Sequence, residues 1–306
     1  MTTTQSAIAY YGTSYPQRTP YVSIAEVYNN PSSLDYSNLI SGGATAQQSV
    51  LTEVIGRASS WIDSYTCGAW GTLCATQNAE NGRVWGSRDG TLRVHPKYWP
   101  IISVDAFSYS ALGYGLPSNA ASITPSGNIW IEPQEFIVTP QGVVNWGLNA
   151  PAGITTSPYY VNFLYSNGWP NTLLSASVAA GATSITPSIV TGILPGTILT
   201  IYDVPNDESI QVANTYVPGS ATVPLTSELQ YNHGTTVTVT NLPPAVKEAC
   251  LLLVGALIKQ RGSGSLIVED LGPATRLDTS GIQGEGGDIG IAAELLSPYR
   301  MMFVGY

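Results

Sequence analysis

Two histidines and three cysteines are the side chains best suited to chemistry in this chain of 306 residues. His95 and His233 each lie near a predicted turn, and neither has a cysteine or a second histidine at metal-ligand spacing, so we expect no metal site. Cys67, Cys74 and Cys250 form an odd count with no metal-binding or redox spacing. This pattern favours reduced thiols over a disulfide framework, although pairing of Cys67 with Cys74 stays open.

Two further segments resemble ligand-binding motifs only weakly. The segment DVPNDE, residues 203–208, clusters three carboxylates and an asparagine between predicted strands. Calcium binding is conceivable there, but a solvated turn is the simpler interpretation. The segment GEGGDIG, residues 284–290, departs from the dinucleotide-binding fingerprint because Ile289 stands where the last glycine is needed and no strand precedes it. A flexible glycine loop is therefore expected.

No catalytic residue and no cofactor is predicted. The sequence lacks G-x-S-x-G, Walker A, H-E-x-x-H and C-x-x-C motifs. Its seven tryptophans and eighteen tyrosines raise the alternative of sugar stacking. Aromatic residues in strands more often fill cores and subunit interfaces, which is the interpretation we favour. The aromatic residues considered for a sugar platform are Trp130, Trp146, Tyr159, Tyr160 and Trp169.

Composition limits the partners. The chain carries a net charge of −9 with only 10% charged residues, which argues against an electrostatic grip on nucleic acid or on an anionic membrane. The apolar run from Ala249 to Ile258 is too short for a bilayer, which takes about 20 residues. The first residues, MTTTQSAIAYYG, have no basic or apolar signal-peptide region. We expect no membrane partner and assembly in a cytoplasm.

Two long helices are predicted near opposite ends of the sequence. Residues 244–261 are apolar almost all round, so this helix needs partners on several sides. Residues 47–66 supply one apolar face, while Glu53, Arg57 and Asp63 fall on the other side. The residues of that face are Leu51, Val54, Ile55, Ala58, Trp61, Ile62 and Tyr65.

Local signals bound the helices. Thr45 is expected to cap the start of the 47–66 helix and Gly68 to end it. Shorter helices are predicted at residues 23–30 and 291–300. For the first of these, a continuation through SSLDYSNLI stays open.

The middle of the chain predicts β structure. Residues 82–165 alternate apolar and polar positions, with Asp89-Gly90 as a strong hairpin turn between GRVW and LRV. Five short strands rich in threonine and valine follow between residues 181 and 243, which favours a small sandwich or barrel.

These elements predict an α+β fold: a small helical bundle at the base, an inserted antiparallel β-hairpin region, and a small β-sandwich or barrel module. The expected segments are 1–80 for the N-terminal part of the base, 81–174 for the β-hairpin-rich region, 175–242 for the inserted β module, and 243–306 for the C-terminal helix and arm that complete the base.

Four stretches together resemble the head–tail adaptor proteins, also called head completion or connector proteins, of long-tailed bacteriophages. They are LTEVIGRASSWIDSYT, DGTLRVHPKYWPIISVDAFSYS, PPAVKEACLLLVGALIKQRGSG and the late LLSPYR. The resemblance covers most of residues 20–300 and includes a β module like that inserted into larger family members. It implies a virion structural protein without catalytic residues.

The resemblance also implies partners. Such adaptors form a homo-oligomeric ring of about twelve copies beneath the portal protein, at the neck of the virion. The ring joins the DNA-filled capsid to the stopper or tail-terminator protein, and genomic DNA passes through its lumen without specific binding. A head-closure (stopper) protein of the same neck is the nearest alternative, and a glycan-binding β module on the virion surface is an alternative of another class. A glycoside hydrolase ranks third.

The end of the chain is a candidate portal-docking arm. Residues 263–290 are rich in glycine and small polar residues and predict a tether, whereas IAAELLSPYRMMFVGY is apolar and aromatic. The alternative is that this tail folds back onto the chain's own helical base. The residues expected to form or support the portal contact are Leu295, Leu296, Tyr299, Met301, Met302, Phe303 and Tyr306.

Overall fold

The structure, a computed structural model, describes residues 19–30, 43–68, 71–87, 91–110, 121–123, 128–139, 159–262 and 287–301. These residues form an α+β fold, as the sequence predicts. The helices are α1 (Ile24–Asn29), α2 (Ala44–Cys67), α3 (Pro244–Gly262) and α4 (Asp288–Leu296), the last continued by a 3-10 turn at Ser297–Tyr299. None of the helices in the described ranges is long and apolar enough to cross a membrane.

The four helices share one hydrophobic core, which answers what α3 packs against. Val246, Ala249, Cys250, Leu253 and Val254 of α3 are buried in this core. The core also contains the predicted face of α2, namely Leu51, Val54, Ile55, Ala58 and Ile62, with Trp61 and Tyr65 partly buried against it. Helices from distant parts of the sequence therefore form a single base.

Two local predictions for α2 are wrong. The helix begins at Ala44 with Gly43 as its N-cap and no side-chain cap, so Thr45 lies inside the first turn. The backbone of Gly43 is extended, as is usual for an N-cap residue, and glycine is tolerated at that position. Asp63, expected on the solvent side, is buried because it is hydrogen-bonded to Tyr21. Gly68 ends the helix as predicted, with φ at 72°.

The short helices are confirmed within the described residues. The α1 helix carries a capping box, in which the Ser23 hydroxyl accepts from the Glu26 N–H and the Glu26 carboxylate accepts from the Ser23 N–H. Its predicted continuation through SSLDYSNLI lies outside the described residues. The α4 helix begins earlier than predicted, so Asp288, Ile289 and Gly290 are helical rather than part of a glycine loop.

The first β region contains two antiparallel sheets that share one hydrophobic core. One has the strand order β1-β7-β3-β4 and the other β2-β6-β5. Phe136 of the smaller sheet contacts Phe163 and Phe107 of the larger, with ring centroids 5.2 and 5.8 Å apart. The strands are β1 (Thr76–Val84), β2 (Leu92–Val94), β3 (Ile101–Ser110), β4 (Ala121–Ile123), β5 (Ile129–Ile131), β6 (Phe136–Val138) and β7 (Tyr159–Asn167).

The predicted hairpin around Asp89-Gly90 is confirmed only next to its turn. The β1 strand pairs along its whole length with β7, and β2 pairs with β6. Gly86 and Leu92 form an antiparallel bridge and the Ser87 N–H donates to the Thr91 carbonyl at 2.8 Å, while Asp89-Gly90 lies outside the described residues. Before these residues, the nine-residue β7 strand offers β1 a long partner with a buried face, so the extended pairing of β1 is long-range.

The second β region confirms all five predicted strands and adds one. A four-stranded sheet has the order β11-β10-β13-β8, and β9 pairs with β12. The added strand, β8, pairs with β13 and precedes the predicted boundary at residue 175. We call residues 171–242 the β module. Its strands are β8 (Asn171–Leu173), β9 (Ser184–Ile185), β10 (Ile198–Tyr202), β11 (Glu208–Gln211), β12 (Val223–Pro224) and β13 (Thr238–Thr240).

The segment between β7 and β8 connects the parts of the fold. The Trp169 N–H donates to the Leu73 carbonyl, and the Ala75 N–H donates to the Trp169 carbonyl. Gly168 makes this close approach possible, because its φ is +89° and a Cβ there would lie 2.6 Å from the Leu73 oxygen. The Asn171 side chain then donates to the carbonyls of Thr19 and Pro20.

Candidate functional site

The C-terminal helix places most of the proposed docking residues against the chain's own base. Leu296 and Met301 are buried in the helical core, and Leu295 and Tyr299 are partly buried against it. The Met301 N–H donates to the Thr66 carbonyl at 2.7 Å, which fixes the segment to the end of α2.

Aromatic contacts hold the same segment from its other side. The Tyr299 ring meets Trp169 edge to face at 5.7 Å, and the Arg300 guanidinium lies 5.5 Å above the Tyr65 ring. This is the fold-back arrangement for residues 287–301. A direct portal contact by the buried Leu296 and Met301 would require their release from the core.

The rest of the predicted arm, Met302, Phe303 and Tyr306, lies outside the described residues. Portal docking therefore stays a prediction, with the described part of the segment in a supporting position. Sequence reasoning did not single out Ile291, which is 47% exposed on α4 and presents an apolar side chain to solvent.

A buried ion pair lies where α1, α3 and the β module meet. The Lys247 ammonium is 2.5 Å from Glu26 Oε1, and both side chains are less than a tenth exposed. The Lys247 ammonium also donates to the Tyr21 carbonyl at 3.3 Å and lies 3.9 Å from the centre of the Tyr202 ring. The Thr238 hydroxyl donates to Glu26 Oε2 at 3.3 Å. One pair of charges thus links the base to β10 and β13.

Burial and pairing oppose each other at Lys247. Desolvation lowers the pKa of Lys247 from its ordinary value, and the Glu26 carboxylate acts in the opposite direction. Glu26 satisfies several donors at once, including the Ser23 N–H at 2.7 Å. These contacts describe a structural connection, because both side chains are buried and paired with groups of the same chain.

A second buried network connects the segment before α1 to α2. The Tyr21 hydroxyl donates to Asp63 and accepts from the Leu73 N–H at 3.0 Å. Thr72 Oγ1 lies 3.2 Å from the same hydroxyl. Burial, together with the nearby Cys74 and Asp63 side chains, raises the pKa of Tyr21 well above its ordinary value. The phenol therefore stays protonated and acts as a fixed donor.

The carboxylates of DVPNDE lie around one histidine. His233 Nδ1 is 3.0 Å from Asp203 Oδ2, and His233 Nε2 is 2.6 Å from Glu208 Oε1. Asp207 accepts from the Asp203 N–H and closes the turn. The described residues contain no group of three histidine, cysteine, aspartate or glutamate side chains placed to hold a metal ion. The calcium alternative is therefore unsupported at this turn.

The other histidine belongs to an exposed ion cluster. Glu135 contacts both Arg93, at 2.9 Å, and His95, at 3.4 Å, on the outer side of the β2-β6-β5 sheet. The two basic side chains are about half exposed. His95 therefore makes a surface contact with a carboxylate.

All three cysteines are buried thiols. Cys67, Cys74 and Cys250 form no disulfide, in agreement with the prediction of reduced thiols. Burial raises the pKa of Cys250 to about 12, which keeps this thiol protonated and unreactive in the folded protein.

The proposed sugar-platform aromatics do not share one surface role. Tyr159 is buried in the β core, and Trp169 is packed against Tyr299 in the base. Tyr160 is half-buried beneath the Arg83 guanidinium. Trp130 is 69% exposed, and Trp146 lies outside the described residues. The structure thus leaves Trp130 as the only one of the four described platform candidates that is widely exposed.

A shallow concavity lies on the outer face of the β1-β7-β3 sheet. Uncharged residues line it, and none of them is ionisable, so the concavity lacks a general acid or base of its own. The lining residues are Ala79, Ala106, Phe107, Ser108, Asn162, Phe163 and Leu164.

Sequence reasoning missed the buried polar pairs for different reasons. Ser23 and Glu26 have the spacing of a capping box, so Glu26 had a local signal, whereas Lys247 lies just before the apolar run of α3. Their pairing, like that of Tyr21 with Asp63, joins residues far apart in sequence, and no local pattern encodes it. The sequence identified His233 and the 203–208 carboxylates as separate features, and no pattern predicted that they contact each other.

No protein-family model and no curated protein matches this chain.

Proposed function

We propose that this chain is a virion structural protein, a head–tail adaptor. It forms a ring beneath the portal protein and joins the DNA-filled capsid to the stopper or tail-terminator protein. The proposal rests on the resemblance carried by the α2, α3 and C-terminal segments and on one structural observation. Helices from both ends of the sequence form a single base, from which two β regions project between α2 and α3.

The use of polar groups supports a structural role. The Lys247–Glu26, Tyr21–Asp63 and His233–Glu208 contacts are all made inside the fold. The concavity on the outer sheet carries no ionisable side chain. A glycoside hydrolase would need a pair of carboxyl groups facing a substrate cleft. An adaptor needs a stable fold that presents surfaces to copies of itself and to neighbouring neck proteins. The polar pairs of this chain connect parts of its own fold.

The alternative with its own observation is a glycan-binding module. Trp130 exposes 69% of its surface and Trp85 exposes 58%, and exposed tryptophans suit sugar stacking. The burial of Tyr159 and the internal contact of Trp169 weaken this alternative, because a platform needs several coplanar exposed rings. A stopper protein of the same neck shares the partners of an adaptor and differs in position along the neck.

Cosedimentation with phage heads tests the proposal. We expect the purified protein to migrate with DNA-filled, tailless heads in a sucrose gradient and to remain free when the heads lack portal protein. Substitution of Trp130 by alanine is the control for the glycan alternative and should leave head binding unchanged. Binding to a glycan array that Trp130→Ala abolishes, without binding to heads, would favour the lectin instead.

The relation to DNA follows from charge. The chain has 11 lysines and arginines against 20 aspartates and glutamates, so a ring of copies would present a net negative charge. If part of this negative charge lines the lumen of the ring, genomic DNA can pass through without specific binding. Submicromolar affinity of the free protein for duplex DNA at physiological salt would contradict this part of the proposal.

A further inference from the structure

Two tryptophans stand at opposite ends of one row that crosses the outer face of the β2-β6-β5 sheet. Trp130 of β5 pairs with Ile137 of β6, which pairs with Arg93 of β2. An antiparallel bridge joins the residue after Trp85 to the first residue of β2, which places Trp85 across from Arg93. We call Trp85, Arg93, Ile137 and Trp130 the aromatic row.

The aromatic row is open to solvent and carries a positive charge. Trp130 exposes 69% of its surface and Trp85 exposes 58%. The Arg93 side chain is 49% exposed, whereas Glu135, the carboxylate that it contacts, is only 15% exposed. Tryptophan and arginine are the residues that most often dominate the binding energy of protein interfaces. The row therefore has the composition of a docking surface.

The concavity of the β1-β7-β3 sheet lies on the opposite side of the same two-sheet unit. The two sheets face each other through their shared core, so their outer faces point away from each other. Ala79, Leu164 and Ala106 form one cross-strand row of the concavity. Its volume of about 280 Å³ is below the roughly 300–1,000 Å³ of small-molecule pockets. The concavity is better suited to side chains of a protein partner.

Asp105 places a negative charge at the rim of this concavity. It is exposed and directly precedes Ala106, which lines the concavity. Its carboxylate accepts from Gln77 Nε2 at 2.7 Å and from the Ser103 hydroxyl at 2.8 Å, and these donors carry no charge of their own. The chain thus presents an aromatic row with Arg93 on one side and a concavity with Asp105 on the other.

We propose that copies of this chain associate head to tail, with the aromatic row of one copy packed on the concavity of the next and Arg93 facing Asp105. The proposal rests on the ring of the proposed function, for which it names the lateral contact. A contact between two different surfaces repeats from copy to copy and can close a ring, whereas a surface that pairs with itself gives a dimer. Self-pairing of the row would also bring two basic surfaces together, which opposes association.

The two faces are large enough for such a contact. A tryptophan buries about 150–250 Å², so the exposed fractions of Trp85 and Trp130 can supply about 200–300 Å² of the roughly 800 Å² that each partner contributes to a standard interface. The remainder can come from the outer face of the larger sheet, whose strands β1, β7 and β3 have nine, nine and ten residues.

Cysteine cross-linking of the full chain tests the contact. Thr139→Cys lies beside the aromatic row and Asn81→Cys beside the concavity, and both positions are exposed. A short bismaleimide should link the chain that carries both substitutions into dimers and longer oligomers, while each single variant stays monomeric. The three native thiols are buried and should not react. Thr139→Cys combined with Thr52→Cys, an exposed position on α2, is the control and should give no oligomers.

The reaction is run on the concentrated free protein and on protein attached to DNA-filled heads, so that the contact and the adaptor function can fail separately. Heads that carry the protein without cross-linked oligomers would overturn the contact and leave the adaptor function in place. Oligomers of the free protein without attachment to heads would support the contact and contradict the adaptor function. Dimers from a single-cysteine variant would show that one surface pairs with itself and would overturn the head-to-tail arrangement.

A charge exchange tests the facing of Arg93 and Asp105. In the double-cysteine chain, Arg93→Glu or Asp105→Arg alone should lower the yield of oligomers by about tenfold or more, because like charges then face each other. The two substitutions together should restore the yield, and Arg57→Glu on α2 should leave it unchanged. A combined variant that is folded by circular dichroism and yields no more oligomer than the single variants would overturn this pairing.

Trp130→Ala tests the aromatic part of the contact. It should lower the oligomer yield of the double-cysteine chain to a similar degree, because a central aromatic side chain leaves the interface. Attachment to heads should persist, since it depends on the contact with the portal protein. An undiminished oligomer yield from Trp130→Ala would remove the aromatic row from the interface.

Discussion

Lys247 of α3 and Glu26 of α1 form a buried ion pair, 2.5 Å between Nζ and Oε1, where the helical base meets the β module. Tyr202 of β10 covers the ammonium, and Thr238 of β13 donates to the carboxylate. Residues from three distant parts of the sequence thus meet at a single pair of charges. The module is consequently fastened to the base by polar contacts as well as by its two chain connections.

The first prediction concerns this pair. Lys247→Met removes the cation and leaves the buried Glu26 carboxylate without its counter-charge, so we expect a loss of about 3–5 kcal/mol in the free energy of unfolding. Chemical denaturation measures it. Adding Glu26→Gln to Lys247→Met should recover part of the loss, because the unpaired charge is then gone.

The surface pair of Glu53 and Arg57 on α2 is the control. Their side chains are about half exposed, at 51% and 58%. Arg57→Ala should cost no more than about 0.5 kcal/mol. A Lys247→Met variant as stable as Arg57→Ala would contradict a paired, buried charge.

The second prediction concerns the β module. Replacing residues 175–241 with a short glycine–serine linker should preserve the helical far-ultraviolet circular dichroism, because the core partners of α2 and α3 lie outside the replaced segment. The thermal midpoint should fall, since Tyr202 and Thr238 no longer cover the Lys247–Glu26 pair. Loss of the helical signal would show that the base cannot fold without the module.

The third prediction separates docking from folding at the C-terminal segment. Truncation after Ile289 removes Leu296 and Met301 from the core, each worth about 1.5–3 kcal/mol of burial, so we expect a markedly destabilised protein. Truncation after Met301 keeps both residues and removes Met302, Phe303 and Tyr306. We expect this shorter deletion to leave the denaturation midpoint unchanged and to abolish attachment to heads.

Attachment of the chain truncated after Met301 at the level of the full chain would remove those three residues from the docking role. A fall in its stability equal to that of the Ile289 truncation would show instead that the final residues belong to the folded base.

The fourth prediction concerns the thiols. All three cysteines are buried, and burial raises the pKa of Cys250 to about 12, so the folded protein should react with a thiol reagent at neutral pH only through unfolding. In denaturant all three should react rapidly. Reaction of Cys250 in the native protein at the denatured rate would contradict its burial in α3.

Elements with a strong local period were predictable, whereas long-range pairing was not. The apolar faces of α2 and α3 and the five predicted strands of the β module follow from the spacing of apolar and turn residues. The partner of β1 did not follow, because Asp89-Gly90 is a local hairpin signal and β7 lies some distance along the chain. A turn signal specifies backbone geometry, while pairing depends on which strand buries the most surface.

Buried polar residues caused the other differences. Asp63 has the spacing of a solvent-facing residue on α2, yet Tyr21 supplies a donor that makes its burial possible. His233 and Asp203 are thirty positions apart in the sequence, and each alone suggests only a turn. The proposed function depends on the resemblance of segments, because the residues proposed to contact a portal protein or a neighbouring copy carry no chemical motif.

Cryo-electron microscopy of the purified protein mixed with DNA-filled, tailless heads tests the adaptor proposal most directly. The proposal predicts added density in a closed ring of about twelve copies, centred on the portal axis at one vertex and absent from the other vertices. Density scattered over the capsid surface, or no density at the portal vertex under conditions where the protein is folded, would contradict it.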